Sequence, residues 1–199
     1  MKPRMSGGQR RAQLLDVTRA IVGEAGFHAV SIEAVARRAG ITRPVVYGHF
    51  DDLPALLEAM IDRESARALA QLAEILPGKL AEQASPREDL LAAMRGYLEA
   101  VEADPITWRL VLIPPEGAPA ALRERIARGR EAVVATLAEV ARPGLGPGSE
   151  SPDPALTART LSAVADEAAR LLLTDPEHYP VSRLVAHADW LLGQLEPTP

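Results

Sequence analysis

The chain has no cysteine. That excludes a disulfide framework, a thiolate metal site and a cysteine nucleophile, and it suits a reducing compartment such as the cytoplasm, the location expected here. Aromatic residues are scarce, with two Phe, three Tyr and two Trp in 199 residues, too few to suggest a particular ligand. Lysine is nearly absent: Lys2 and Lys79 are the only two among 22 basic residues. Long apolar runs are missing as well. The stretches from Leu110 to Pro115 and from Leu171 to Leu173 fall far short of the roughly 20 residues that cross a bilayer, so no membrane association is expected. The first eight residues carry Lys2 and Arg4 but lead into Gln9-Arg10-Arg11 instead of an apolar segment, which does not read as a secretory signal.

What is present is an ordinary globular composition, 47% hydrophobic and 25% charged, in a length that suits one domain or a small domain fused to a larger one. The net charge of −5 hides an asymmetry. Residues 1 to 49 carry eight Lys plus Arg against three Asp plus Glu, a charge of +5; residues 50 to 199 carry 14 against 24, a charge of −10. A basic head on an acidic body points to an anionic partner for the head alone, although chance clustering gives the same count.

The periodicity is helical throughout. Gln9 to Ala25 places Leu14, Leu15, Thr18, Ile21, Val22 and Ala25 on one stripe and stops at Gly26. Ser31 caps a short helix ending at Gly40, and Thr42 caps another that reaches about Gly48. A long helix follows from Leu53 to Leu76. Further helices run from a Ser85 cap and Pro86 to about Ala103, from an Asp104 cap and Pro105 to Ile113, from about Pro119 to Ala141, from Asp153-Pro154 to Leu173 and from Val181 to Leu195. Residues 143 to 153 read as a flexible Gly/Pro/Ser loop. No stretch alternates with period two, so the predicted class is all-α with about nine helices.

Residues 31 to 50 form two short helices joined by a Gly-containing turn, the helix-turn-helix pattern. Ala36 is small where the helices cross, Gly40 permits a positive φ in the turn, and Val46 can plug the space between them. From about Gln9 to Leu57 the sequence resembles the TetR family of transcriptional regulators, through the first helix ending at Gly26-Phe27, the Ser31–Gly40 and Thr42–Phe50 segments closing on Tyr47, His49 and Phe50, and Leu56-Leu57. The resemblance implies a flexible arm over residues 1 to 8, a DNA-binding domain over residues 9 to 52, and a helical ligand-binding and dimerisation domain over residues 53 to 199. Two positions depart from the family pattern. Leu53, after Asp51-Asp52, stands where many members have a phosphate-contacting Lys, and Pro44-Val45 replaces a commoner Gly-Thr pair, which favours apolar contact with a thymine methyl.

By resemblance and geometry the helix from Thr42 enters the major groove of double-stranded DNA, with Arg43 the candidate for bidentate pairing to guanine and Thr42, Pro44 and Val45 beside it. Ser31, Arg37, Arg38, Tyr47 and His49 are candidates for phosphate contact, with Lys2, Arg4, Arg10 and Arg11 as a basic arm. Arg10, Arg37 and Arg38 equally describe a solvated helix face, and Tyr47 a half-buried core tyrosine. One such head binds weakly, so a homodimer on a palindromic operator is expected, its seam on the last two helices at Leu161, Ala165, Ala168, Leu172, Leu184, Ala188, Leu191 and Leu195. These residues also describe the closure of a monomer core. The middle helices are expected to enclose a pocket for an unidentified small-molecule effector, with Met94, Tyr97, Trp108 and Leu112 as lining and Arg109, Glu167 and Arg170 as polar groups. Plain core packing is the simpler account of Met94 and Leu112, and Glu167 and Arg170 can pair with each other.

No enzyme constellation is present. His28, His49, His178 and His187 lack helical metal-pair spacing, Asp166-Glu167 and His187-Ala188-Asp189 are the nearest approach to a site, and there is no phosphate-binding loop or nucleophile elbow. No cofactor or metal is therefore expected. The reading is a ligand-responsive regulator, most simply a repressor released by its effector. The alternative is an all-α small-molecule or protein-interaction module that does not bind DNA, suggested by Asp51, Asp52 and Leu53.

Overall fold

A computed structural model describes residues 5–75, 86–114, 118–141 and 151–195. Ser6 sets the start of the first helix. Its hydroxyl accepts from the Gln9 N–H at 3.2 Å while the Gln9 side chain accepts from the Ser6 N–H at 2.8 Å, a reciprocal capping box. Helix α1 therefore spans Gly7–Ala25, two residues earlier than the apolar periodicity indicates, and Gly7 and Gly8 belong to it instead of to the arm expected over residues 1 to 8. Lys2 and Arg4 lie outside the described residues. Gly26, at φ 80°, ends α1 by donating its N–H to Val22 O, and a single 3-10 turn, Phe27–Ala29, leads on.

Helix α2 spans Ile32–Ala39, α3 Arg43–Tyr47 and α4 Leu53–Ile75. The body adds α5 (Pro86–Ala103), α6 (Pro105–Leu112), α7 (Ala120–Ala141), α8 (Pro154–Thr174) and α9 (Val181–Leu195). There is no strand among the described residues. The expected breaks at Pro77-Gly78 and Pro115-Glu116-Gly117, the Ser85 cap and residues 143 to 150 of the expected loop fall outside them.

Two apolar clusters organise the chain. The first joins Leu14, Val22, Phe27, Val35, Val46 and Phe50 of the head to Leu56, Met60 and Ile61 of α4, and extends to Leu110 and Leu122 of the body. The second gathers Leu98, Val101, Trp108, Ala169, Leu172 and Val185, with Ala68 from the far half of α4. The boundary expected at residue 53 thus opens a helix that serves both clusters. In the body α8 packs on α7 and α5, and α9 packs on α5, where Arg87 and Asp189 form an ion pair at 2.7 Å.

A polar knot joins head to body. Glu64 and Asp104 are buried carboxylates, and Thr107 between them is fully buried. Thr107 Oγ1 donates to Glu64 Oε2 at 2.6 Å, and Arg19 of α1 reaches both acids, with Nε 2.9 Å from Glu64 and Nη2 donating to Asp104. Arg63 holds the other Glu64 oxygen at 2.9 Å and Arg67 the other Asp104 oxygen at 2.6 Å. This corrects the sequence reading of Asp104 as a side-chain cap. It occupies the N-cap position of α6 but makes no capping bond, because a desolvated carboxylate gains more from two guanidiniums than from one backbone amide.

Candidate functional site

The helix-turn-helix is built by local chemistry. Ser31 Oγ accepts from the Ala34 N–H at 3.0 Å and starts α2. Gly40, at φ 66°, ends it in the left-handed region, and the Ile41 N–H returns to Ala36 O at 3.0 Å, the closure of a Schellman turn. Ala36 and Val46 are both buried, Val46 completely, so α2 and α3 lock through a small residue facing a larger one. Thr42 stands at the N-cap of α3 but makes no side-chain cap, contrary to the expectation that it would. Pro44 lies in the first turn, where its missing N–H leaves no intrahelical bond unmade.

With Val46 anchoring α3 from beneath, its outer face is exposed: Thr42, Arg43, Pro44, Val45 and Tyr47 all stand in solvent, with Tyr47 52% and Val45 40% accessible. An exposed tyrosine replaces the half-buried alternative of the sequence reading. A shallow polar depression beside this face is lined by Glu33, Arg37, Thr42 and Arg43. His49 is half-buried and lies against the start of α1, its Cε1 4.0 Å from where a side chain on Gly7 would begin.

Three of the expected basic contacts are otherwise engaged. Arg38 forms a two-pronged pair with Glu24, which holds the Glu24 carboxyl below its ordinary range, the Arg38 hydrogen bond being the main cause. Arg11 lies over the Phe50 ring at 4.6 Å and Arg10 donates to Gln13 at 2.6 Å. Ser31 spends its hydroxyl as an acceptor in the α2 cap. The departures at the start of α4 have structural reasons. Asp52 Oδ1 accepts from the Ala55 N–H at 2.8 Å, capping α4, and Leu53 is partly buried against the head core.

The body carries a half-open cavity of about 770 Å³ whose wall is overwhelmingly apolar, with the exposed Leu156, Val164 and Leu191 on its border, within the roughly 300–1,000 Å³ typical of small-molecule sites. Met94, Tyr97, Trp108, Leu112 and Glu167 line it, as do Leu72, Leu91 and Val133. Arg109 and Arg170 do not. Arg109 is exposed and donates to Leu173 O at 2.7 Å, tying α6 to the end of α8, while Arg170 donates to Leu112 O at 3.2 Å and pairs with Glu167 at 3.1 Å. Each long side chain reaches instead to a carbonyl on another helix. The polar groups that the sequence did not mark for this cavity are Arg130 and Asp166, paired at 2.9 Å. Nothing local in the sequence could join residues 36 apart.

Tyr97 meets Trp108 edge-on with ring centroids 5.1 Å apart, and its hydroxyl lies 3.3 Å from Asp166 Oδ1. Burial, and then the Asp166 charge and hydrogen bond, push that hydroxyl well above the ordinary tyrosine range. It is a hydrogen-bond donor at neutral pH.

The seam candidates separate into two groups. Ala168, Leu172 and Leu184 are buried within the chain's own second cluster, which excludes them from a seam. The apolar stripe of α8 is wide because it must face α5 and α7 first. Leu161, Ala165 and Ala188 are half-buried at the cavity wall, Leu191 is 41% exposed, and the Leu195 side chain lies outside the described residues. Large apolar residues left in solvent on these helices are Leu156, Val164, Trp190 and Leu191. Among the described residues no helix is long and apolar enough to cross a membrane, and no cluster of acids and histidines could hold a metal.

Comparison with known proteins follows this division. Residues 14–60 match the model of the tetR family of bacterial regulatory proteins. The HTH-type transcriptional activator FasR of Mycolicibacterium smegmatis is 28% identical over 54% of this chain and 48% of its own length. The HTH-type transcriptional regulator UidR of Escherichia coli is 35% identical over 34% of this chain and 35% of its own. The chain thus spans half or less of the length of these curated relatives. Over nearly the whole chain the fold is similar to a TetR-like transcriptional regulator from Rhodococcus sp. RHA1, with a TM-score of 0.73 and 23% identity over 96% of this chain and 97% of that one. It is also similar to the Bacillus subtilis regulator FadR in complex with stearoyl-CoA, with a TM-score of 0.67 and 18% identity over 91% of this chain and 96% of that one.

Proposed function

We propose, from the premise that this chain belongs to the tetR family of bacterial regulatory proteins, that it is a DNA-binding transcriptional regulator acting in the cytoplasm by binding and not by catalysis. The observation that carries the reading is the outward face of α3, with Thr42, Arg43, Pro44, Val45 and Tyr47 in solvent above a buried Val46. Arg43 has no ion pair among the described residues and sits where a recognition helix meets base edges, so it is the candidate guanine reader. Val45 and Pro44 offer apolar contact to a thymine methyl. Tyr47, Arg37 and His49 flank the helix for phosphate contact, and Thr42, with no capping bond to make, has its hydroxyl available to DNA.

Two heads are needed for tight binding, and we assign the seam to the exposed part of α8 and α9 around Leu156, Val164, Trp190 and Leu191. A homodimer with heads about 34–36 Å apart reads a palindrome on successive major grooves. The apolar cavity is the effector site, and FadR's complex with stearoyl-CoA supports a hydrophobic effector. An effector that favours one head spacing over the other by about 1–3 kcal/mol weakens DNA binding, which makes the protein a repressor released by its ligand. The reading without DNA binding loses its motive at two of its three residues, since Asp52 caps α4 and Leu53 packs in the head.

Fluorescence anisotropy against the DNA flanking the gene tests this. Binding is expected to be sequence-selective and to weaken steeply with salt, and Arg43→Ala to cost about 1–3 kcal/mol while relaxing selectivity at one base pair. Absence of binding to any selected duplex at low salt refutes it.

A further inference from the structure

The cavity wall carries information about the charge of what it holds. Its aliphatic surface is interrupted at one patch, where Tyr97 of α5, Arg130 of α7 and Asp166 of α8 converge. Asp166 is only 16% exposed and takes Arg130 at 2.9 Å, with Arg170 4.0 Å from the same carboxylate oxygen. Arg170 is already paired with Glu167. Two cations therefore meet two carboxylates, and the patch is neutral as a whole. Of the other hydroxyls on the wall, Thr157 donates to Asp153 O at 3.0 Å and Thr160 to Leu156 O at 3.0 Å, and Ser162 lies beside them on α8. His187 stacks on Trp190 with centroids 5.5 Å apart. Among the described residues lining the cavity, no arginine stands without a carboxylate.

A ligand carboxylate or phosphate entering this wall has to leave water and then displace Asp166 from Arg130, stranding one anion in an apolar surround. An alcohol, ester, ketone or thioester has no such cost. Its oxygen takes the Tyr97 proton in place of Asp166 Oδ1, 3.3 Å away, while the Asp166–Arg130 pair stays intact.

We infer that the cavity takes a long or bulky hydrocarbon molecule whose buried polar group is uncharged, with Tyr97 as the donor that orients it and Asp166 as the guard that excludes free anions. This rests on reading the cavity as the effector site. It adds the charge class of the effector, which the fold does not dictate.

The test uses the full-length Trp190→Phe variant, in which Trp108 on the cavity wall is the remaining tryptophan reporter. Dodecan-1-ol, methyl dodecanoate and dodecanoate, which share one chain length and differ in head charge, are titrated below micellar concentration at about pH 8, where the free acid is ionised. The alcohol and the ester are expected to change Trp108 emission and to bind at least about tenfold more tightly than dodecanoate. Asp166→Asn uncovers Arg130 and is expected to raise dodecanoate affinity about tenfold and so to remove the alcohol's advantage over it, a gain that a misfolded variant cannot produce. Dodecanoate binding the unmodified cavity as tightly as dodecanol overturns the inference and leaves the effector reading standing. Failure of Asp166→Asn to improve dodecanoate binding overturns the role given to Asp166. No response to any of the three ligands overturns both the inference and the reading of the cavity as an effector site.

Discussion

Replacing Arg19 with Met keeps most of the side-chain volume but removes the cation at the centre of the knot between α1, α4 and α6. The Glu64 and Asp104 side chains are 3% and 8% exposed, so neither carboxylate can recover its lost partner from water. Arg63 and Arg67 remain on the outer oxygens, at 30% and 56% exposure, and soften the loss. Breaking a buried ion pair from one side costs about 3–5 kcal/mol, and with two rim cations in place the lower end of that range, about 3 kcal/mol, is expected. For a chain of this size each kcal/mol is about 2–4 °C of melting temperature, so Tm should fall by about 6–12 °C. Urea unfolding followed by circular dichroism, at one fixed protein concentration because the proposed dimer would add to stability, measures the loss directly. Adding Glu64→Met to Arg19→Met removes one of the stranded anions and should recover about 1 kcal/mol or more. A loss below about 1 kcal/mol for Arg19→Met, or strictly additive behaviour of the pair, would mean that the knot is effectively solvated and that the reasoning about it is wrong.

Gly40→Ala meets no atom within 4 Å but sits at φ 66°, so it should cost only the left-handed backbone penalty, about 1 kcal/mol, measurable by urea titration and accompanied by weaker DNA binding. Leu191→Glu places a charge on an apolar patch already in solvent; sedimentation should show a shift from dimer to monomer with the helical signal unchanged, and an unaltered mass would move the seam elsewhere. Tyr97 is held protonated in the fold, its pKa raised mainly by burial. The stability this confers is complete below the unfolded tyrosine pKa of about 10 and is lost as pH rises toward the folded value. Thermal melts from about pH 9 to 11 should therefore decline more steeply for the natural chain than for Tyr97→Phe.

The head was legible because its determinants are neighbours in sequence. Ser31 capping three residues on, Gly40 turning the chain at a positive φ, and Val46 beneath an exposed face are each specified within a few positions. Legibility failed where a short-range signal had a long-range competitor. Asp104-Pro105 looks like a cap followed by a helix start, and the helix does begin there, but Arg19 lies 85 positions away and takes the carboxylate. Nothing in the sequence around Arg109 or Arg170 shows the carbonyls on other helices that hold them. The pairing of Arg130 with Asp166 depends on how α7 meets α8 and leaves no trace in either helix. The start of α1 was missed for a different reason: two glycines conceal a helix that Ser6 and Gln9 nonetheless nucleate.

The continuity of the first cluster bears on how this protein can be divided for experiment. A fragment ending at residue 52 would carry every side chain expected at the duplex yet lack Leu56, Met60, Ile61, Leu110 and Leu122, all of them buried in the same cluster as Phe27, Val35 and Phe50. Excised in that way, the reading head loses the floor it stands on, and so small a remnant has little surface left to bury. Truncations meant to isolate recognition for spectroscopy should keep the chain at least through α7, and a head transplanted onto a foreign body should bring α4 and a matching apolar sole with it.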